Sequence, residues 1–307
     1  MKTEYNTIII GAGVAGISAA IYLKRANIDF LILEGEIPGG QINRTADIEN
    51  YPGIISIKGP DLAMQMYNQL QALEIKLSTE VVEKVSSKNK IFEIKTTKNT
   101  YQSHNVIIAT GRRPKKLEIP GEDKYINHGI SFCAVCDGFF FRNKEVAVIG
   151  GGRAALEEAL YLSNLCSKVT LIHRRDEFIA EDSLVKNVKL IVNIEVVVNA
   201  SVKEFIGDNN QLNGIRIEVN KAEKIIPVSG CFTYIGQLPN TEIFEDLDIL
   251  DQNHYIITDK DSKTKIEGIY AAGDCCSKNV YQIITAESEG IIAANMVISK
   301  ENINNIK

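Results

Sequence analysis

The chain is poor in several things that would point to special classes of protein. Only 6 cysteines occur in 307 residues, far too few for a disulfide scaffold. No run of five or more like charges occurs, and the net charge is -5. A nucleic-acid partner is excluded on that ground, because neutralising phosphates takes clustered Lys and Arg. The 4 histidines, His104, His128, His173 and His254, fall in no metal-ligand spacing. The opening MKTEYNT lacks a basic stretch followed by a small-residue cleavage site, which leads us to expect a soluble, cytoplasmic protein with reduced cysteines. What is present is ordinary globular usage, 45% hydrophobic and 24% charged with 22 Gly and 7 Pro. That is too apolar for disorder, and the length suits about two domains.

One stretch imitates a membrane span. Tyr5 to Leu23 carries no charge over 19 residues, close to the ~20 needed to cross a bilayer. Gly11, Gly13 and Gly16 interrupt it, and the β-branched run Thr7 to Ile10 precedes them. The pattern is a buried strand, a glycine turn and a helix from Ile17 to Arg25, then a second strand, Phe30 to Leu33, ending on Glu34. In a G-x-G-x-x-G turn the first glycine permits the tight bend and the second lets backbone approach a pyrophosphate. The third allows close helix–strand packing, and the helix N-terminus offers free N–H groups to the phosphates. Glu34 suits ribose hydroxyls and repels a 2′-phosphate, so FAD or NAD is expected here.

The unit recurs about a domain length later: strand Glu145 to Ile149, turn Gly150-Gly151-Gly152-Arg153-Ala154-Ala155, helix Leu156 to Leu165, strand Val169 to Ile172. Its second strand leads into His173-Arg174-Arg175 instead of an acid. Guanidinium groups there suit a 2′-phosphate, the alternative being a solvated basic edge. Antiparallel-looking stretches are expected at Val81 to Val85, Ile91 to Lys95, Val106 to Thr110, Val196 to Glu204 and Gly214 to Val219. Further on come a strand at Ile269 leading into Gly273-Asp274 and a helix over Ile283 to Ile298. Breakers at Arg113-Pro114 and Leu238-Pro239 mark the boundaries. The predicted architecture is α/β, with two Rossmann-like three-layer nucleotide-binding domains. Residues 114–239 are inserted into a first domain built from 1–113 and 240–307.

Cys133-Ala134-Val135-Cys136-Asp137-Gly138 is the sharpest chemical signal. Two thiols at this spacing can close and reopen a small disulfide, and their proximity lowers one thiol pKa. A zinc site would need two more ligands, and no metal is expected. Asp137 can serve as an acid–base group for the thiols or as a turn former before Gly138.

Taken together, these pieces closely resemble the low-molecular-weight thioredoxin reductases over essentially the whole chain. The matching segments are Gly11 to Gly16 with Glu34, Gly39-Gly40-Gln41, Glu49 to Gly53, Ala109-Thr110-Gly111, Cys133 to Gly138, Gly150 to Ala155 with Glu157-Glu158-Ala159, His173-Arg174-Arg175, and Ala272-Gly273-Asp274 with Gln282. The resemblance implies FAD contacts at Gly11, Gly13, Ala15, Gly16, Glu34, Gly39, Gly40, Gln41, Asn50, Val82, Thr110, Gly111, Gly273, Asp274, Tyr281, Gln282 and Ile283. It implies NADPH contacts at Gly150, Gly152, Arg153, Ala154, His173, Arg174 and Arg175. It further implies a homodimer and thioredoxin as partner, with an inserted domain that rotates. Cys136 then faces the flavin, Cys133 attacks the thioredoxin disulfide, and Asp137 donates the proton.

The chain departs from the family pattern at Ile179, where a third arginine is usual, at Arg153 and Ala154 in the second turn, and at Tyr281 and Ser288 on the flavin side. These departures concern the electron donor. They leave open a reductase fed by another donor, such as ferredoxin, and a flavoprotein whose dithiol senses redox state without turning over.

Overall fold

A computed structural model describes residues 2–304 except 46 and 89. The chain divides into two compact units, Met1–Arg113 with Pro239–Lys307, and Pro114–Leu238. The first unit is therefore completed by the C-terminal segment.

In the first unit, parallel strands run in the order Leu77–Thr79, Phe30–Glu34, Glu4–Ile10, Thr100–Ile108, and Ile269–Ala271 also pairs with Thr100–Ile108. The antiparallel hairpin Val82–Lys88 and Ile91–Thr96 extends the same sheet. Register follows from burial on both faces. Ile9 and Ile107 point towards helices Val14–Arg25, Gly59–Ala72 and Ile283–Asn304, while Ile8, Ile10, Val106 and Ile108 face the other way, against Phe92, Phe244 and Ile256. Each such fully buried aliphatic side chain contributes about 1.5–3 kcal/mol. A one-residue slip would exchange the two faces.

In the second unit, five parallel strands run Ile130–Ser131, Gly230–Tyr234, Glu145–Gly150, Lys168–Ile172, Ile194–Val197. Val146 and Val148 face helices Arg153–Ser163 and Asp182–Leu190. Ala147 and Ile149 face the antiparallel sheet Ala200–Asp208, Gln211–Val219, Ala222–Pro227. Both units thus have a central sheet between two layers, as the sequence led us to expect.

Three local expectations need correcting. Val106 to Thr110 belongs to a central strand that is parallel to Glu4–Ile10 and antiparallel only to the hairpin. The single strand expected over Val196 to Glu204 is two strands in two different sheets. The chain turns between them at Asn199, φ 51°. The last helix runs on to Asn304 instead of ending at Ile298. Among the described residues, no helix is long and apolar enough to cross a membrane.

Candidate active site

The three segments Gly11, Ala109-Thr110-Gly111 and Ala272-Gly273-Asp274 directly follow strands ending at Ile10, Ile108 and Ala271. These strands are parallel neighbours, so all three segments gather at the carboxyl edge of the sheet, where open α/β folds bind ligands. The glycines of the first turn divide their tasks. Gly11 has φ 103°, and a Cβ there would lie 2.4 Å from the Ala109 carbonyl oxygen. A Cβ on Gly16 would lie 2.0 Å from the Gly11 carbonyl oxygen. A Cβ on Gly13, at the N-cap of helix Val14–Arg25, would meet nothing within 4 Å. The outer two glycines are required by the protein itself, whereas the middle one borders open space.

Glu34 locks this turn, its carboxylate accepting the N–H of Ala12 at 2.5 Å and of Glu36 at 2.8 Å. Gly39, at φ 104°, donates its N–H to the Ala12 carbonyl at 2.8 Å, and Gly40 follows at φ 60°. Ala15 packs so closely under Gly290 that a Cβ on Gly290 would sit 2.1 Å from the Ala15 carbonyl oxygen. Val82 opens the hairpin strand Val82–Lys88 and is buried in the core. The Asn50 amide donates to the Gln282 side-chain oxygen at 3.0 Å, just before Ile283 opens the last helix. Asp274 accepts from Arg112 at 2.9 Å, and the Arg112 guanidinium lies 3.9 Å from the centre of the Tyr281 ring.

Among the described residues, four buried polar atoms of this unit have no hydrogen-bond partner: Gln41 Nε2, Thr110 Oγ1, Arg112 Nε and, within strand Thr100–Ile108, Ser103 Oγ. Buried polar groups nearly always find partners. The orphans at Gln41, Thr110 and Arg112, in the segments gathered around the open turn, fit a bound polar molecule that would complete them. FAD suits this set: pyrophosphate against the N–H groups after Gly13, ribose near Glu34, and polar ring edges for the unpaired donors.

In the second unit the redox pair stands at the same edge of its own sheet. Strand Ile130–Ser131 ends just before Cys133, whose disulfide to Cys136 spans a Cα–Cα distance of 5.3 Å across the short helix Ala134–Asp137. Ser131 organises the turn. Its hydroxyl donates to the Asp137 carboxylate at 2.6 Å and accepts the Cys133 N–H at 3.0 Å. The Tyr234 hydroxyl accepts the Ala134 N–H at 2.9 Å, and the Cys136 N–H points to the Cys133 sulfur at 3.1 Å. Cys136 is exposed, whereas Cys133 is 6% exposed. Phe139 and Phe140, immediately after the turn, are 66% and 69% exposed.

At the second glycine turn, Gly150 has φ 153° and a Cβ there would lie 2.4 Å from the Tyr234 carbonyl oxygen. A Cβ on Gly152 would meet only the Ile179 carbonyl oxygen, at 4.0 Å, so this middle position is open as at Gly13. His173 lies buried under Gly151, held against the Glu177 carbonyl at 3.0 Å and stacked on Phe178. Burial holds its imidazole below the usual range, and Arg175 and Arg174 add to this. It therefore packs as a neutral ring beneath the turn and leaves the exposed Arg174 and Arg175 to supply positive charge. Arg153 pairs with Glu157 and Glu181, both at 2.7 Å, and Ala154 beside it is exposed. Ile179 pairs by backbone with the turn and leaves its side chain 66% exposed.

The pyridine nucleotide-disulphide oxidoreductase family matches residues 5–290. This chain belongs to that family. Its curated relatives include the thioredoxin reductase of Listeria monocytogenes, 40% identical over 94% of this chain and 91% of that protein. Another is the thioredoxin reductase of Rickettsia bellii, 43% identical over 96% and 97%. Among solved structures, the thioredoxin reductase of Lactococcus lactis superposes with a TM-score of 0.89 at 39% identity, covering 96% of this chain and 98% of that one. The family uses FAD, with NADPH as its usual electron donor.

Sequence reasoning had not assigned Ser131, Tyr234 or Arg112 to the site. Ser131 and Arg112 lie just outside the Cys133 to Gly138 and Ala109-Thr110-Gly111 motifs, and nothing in their spacing shows what they hold. Tyr234 comes from a strand about a hundred positions away from the turn it clamps.

Proposed function

We propose that this chain is a thioredoxin-disulfide reductase, which passes electron pairs from NADPH through FAD to the Cys133–Cys136 disulfide and on to thioredoxin. The observation that carries this reading is the disulfide itself. It is set at the carboxyl edge of a nucleotide-type sheet, with Asp137 fixed beside it by Ser131. The unit with Gly11, Gly13, Gly16, Glu34, Gln41 and Thr110 holds FAD, and the unit with Gly150, Gly152, Arg174 and Arg175 holds NADPH. When bound, FAD supplies the two-electron link between the hydride donor and the disulfide.

The protein's own groups manage sulfur and protons. Opening the disulfide takes two electrons and one proton and leaves one thiolate and one thiol. Asp137, directly after Cys136 in the chain and held by the Ser131 hydroxyl, is placed to give and recover that proton. The thiolate attacks the disulfide of thioredoxin to form a mixed disulfide, and the second thiol resolves it. Cys133, buried while the disulfide is closed, reaches a protein substrate only after a conformational change. The exposed Phe139 and Phe140 offer an apolar contact beside the exchange site. The chain functions as a homodimer in the cytoplasm.

Anaerobic titration of the flavin-loaded protein with NADPH, NADH and reduced ferredoxin, following flavin absorbance, tests the donor. NADPH should bleach the flavin and support reduction of thioredoxin. Bleaching by ferredoxin alone would assign the electrons to that source, which the departures at Ile179 and Arg153 keep in view. A Cys136→Ser protein that still reduced thioredoxin would refute the dithiol step.

A further inference from the structure

The Oε2 of Glu158 is buried without a hydrogen-bond partner. Glu158 lies on helix Arg153–Ser163 between the fully buried Ala155, Ala159 and Leu162. Gly138, closing the dithiol turn, packs on the same helix, so that a Cβ there would come within 3.1 Å of Leu162 and 3.5 Å of Tyr161. Tyr234 stands between carboxyl and turn. It accepts the Ala134 N–H, which leaves its own O–H hydrogen to be donated elsewhere, and both Glu158 and Asp137 act on it through their charge.

The rest of this core is apolar apart from the Cys166 thiol, which burial pushes up, and Tyr161. Strands Glu145–Gly150, Lys168–Ile172 and Ile194–Val197 and helix Asp182–Leu190 bring Val146, Val148, Leu171, Ile194 and Val188 to this core. Glu157, on its own helix, acts on Glu158 by charge, and Tyr234 feels both Glu158 and Asp137. Burial, with the charge of Glu157 added, pushes the Glu158 carboxyl up to about 7. It therefore changes charge near neutrality, behind a disulfide that gains negative charge on reduction.

We propose that Glu158 is a positioning residue which, across the Tyr234 hydroxyl, makes thiolate formation at the Cys133–Cys136 pair depend on pH. While Glu158 is neutral, it sets no negative charge against a thiolate at the turn. Once Glu158 ionises, its negative charge in a poorly solvated setting opposes the thiolate. Tyr234 holds the turn at Ala134 through both states. The inference rests on the redox role proposed above and extends it.

The test uses the chemically reduced protein and needs no nucleotide turnover. Rates of alkylation by iodoacetamide at Cys133 and Cys136 are read by peptide mass from pH 5 to 10. In the unaltered chain the rise of the rate with pH should flatten near 7, where Glu158 ionises, and resume above it. Glu158→Gln should remove that flattening and raise the rate at pH 8 about threefold or more, the size expected when a nearby charge is lost. Glu158→Met serves as a second variant that also removes the charge, should the amide fold poorly. Tyr234→Phe should weaken the feature near 7 and move the dithiol–disulfide equilibrium against dithiothreitol. Superimposable profiles for the unaltered chain and both Glu158 variants would overturn the proposal. If instead the profiles differ as expected but the pair never exchanges electrons with bound flavin, the redox role fails and the coupling stands.

Discussion

The His173 imidazole occupies the space that a side chain on Gly151 would need: its Cε1 lies 2.0 Å from the position of a Cβ there. The ring is fixed from behind by Phe178 and the Glu177 carbonyl, so it has little room to retreat. Gly151→Ala should therefore displace the ring and the segment from 173 to 179 together, at a cost of ~1–3 kcal/mol for overpacking. Thermal melting should show the loss. An NADPH titration should show weakened binding while FAD binding is unchanged.

The first turn predicts a contrast between two glycines. A Cβ on Gly13 meets nothing, whereas one on Gly16 meets the Gly11 carbonyl at 2.0 Å. Gly13→Val should leave the flavin-free protein with an unchanged melting temperature and reduce its affinity for FAD at least ~10-fold, about 1.4 kcal/mol. Gly16→Val should lower the melting temperature even without FAD. Equal melting losses in the two flavin-free proteins would contradict the division of tasks.

Asp137→Asn keeps the shape of the group that Ser131 holds but removes its proton. Flavin reduction by NADPH should proceed as before, while thioredoxin reduction falls roughly 10²-fold, the lower end of general acid–base contributions. Stopped-flow traces of the flavin and a steady-state assay separate the two steps.

Glu80 sets an acid limit on the first unit. Burial pushes its carboxyl up, but hydrogen bonds from Ser78, Thr96, Tyr101 and Asn99 together hold it down at about 2. The group is lower in the folded than in the unfolded chain. Its contribution is therefore complete above the unfolded value near 4.5 and disappears as the pH falls towards 2. That loss is on the order of 3 kcal/mol. Denaturant midpoints of Glu80→Gln should change less between pH 5 and 2.5 than those of the unaltered chain.

Where the sequence was legible, it was so because local rules coincide with the fold. The two glycine turns, the β-branched runs before them and Glu34 lie within single supersecondary units, and their periodicity survives folding. Asn199 was missed because a left-handed residue inside an apolar run carries no breaker signal of the kind that glycine or proline gives. His173 was grouped with the two arginines that follow it as an NADPH contact, whereas its burial beneath Gly151 depends on a loop folding back and has no signal in the spacing. Tyr234 and Glu158 acquire meaning only through contacts with distant segments, and no spacing rule announces those.

The division of the chain also orders its synthesis. Strand Ile269–Ala271 and helix Ile283–Asn304 supply the far side of the sheet begun by Glu4–Ile10. Residues 114–238 are the first to be complete as a self-contained core, while the opening hundred residues, although made earlier, must wait with Ile9 and Ile107 uncovered. A nascent chain stalled near residue 260 should thus protect its middle from protease and surrender its beginning.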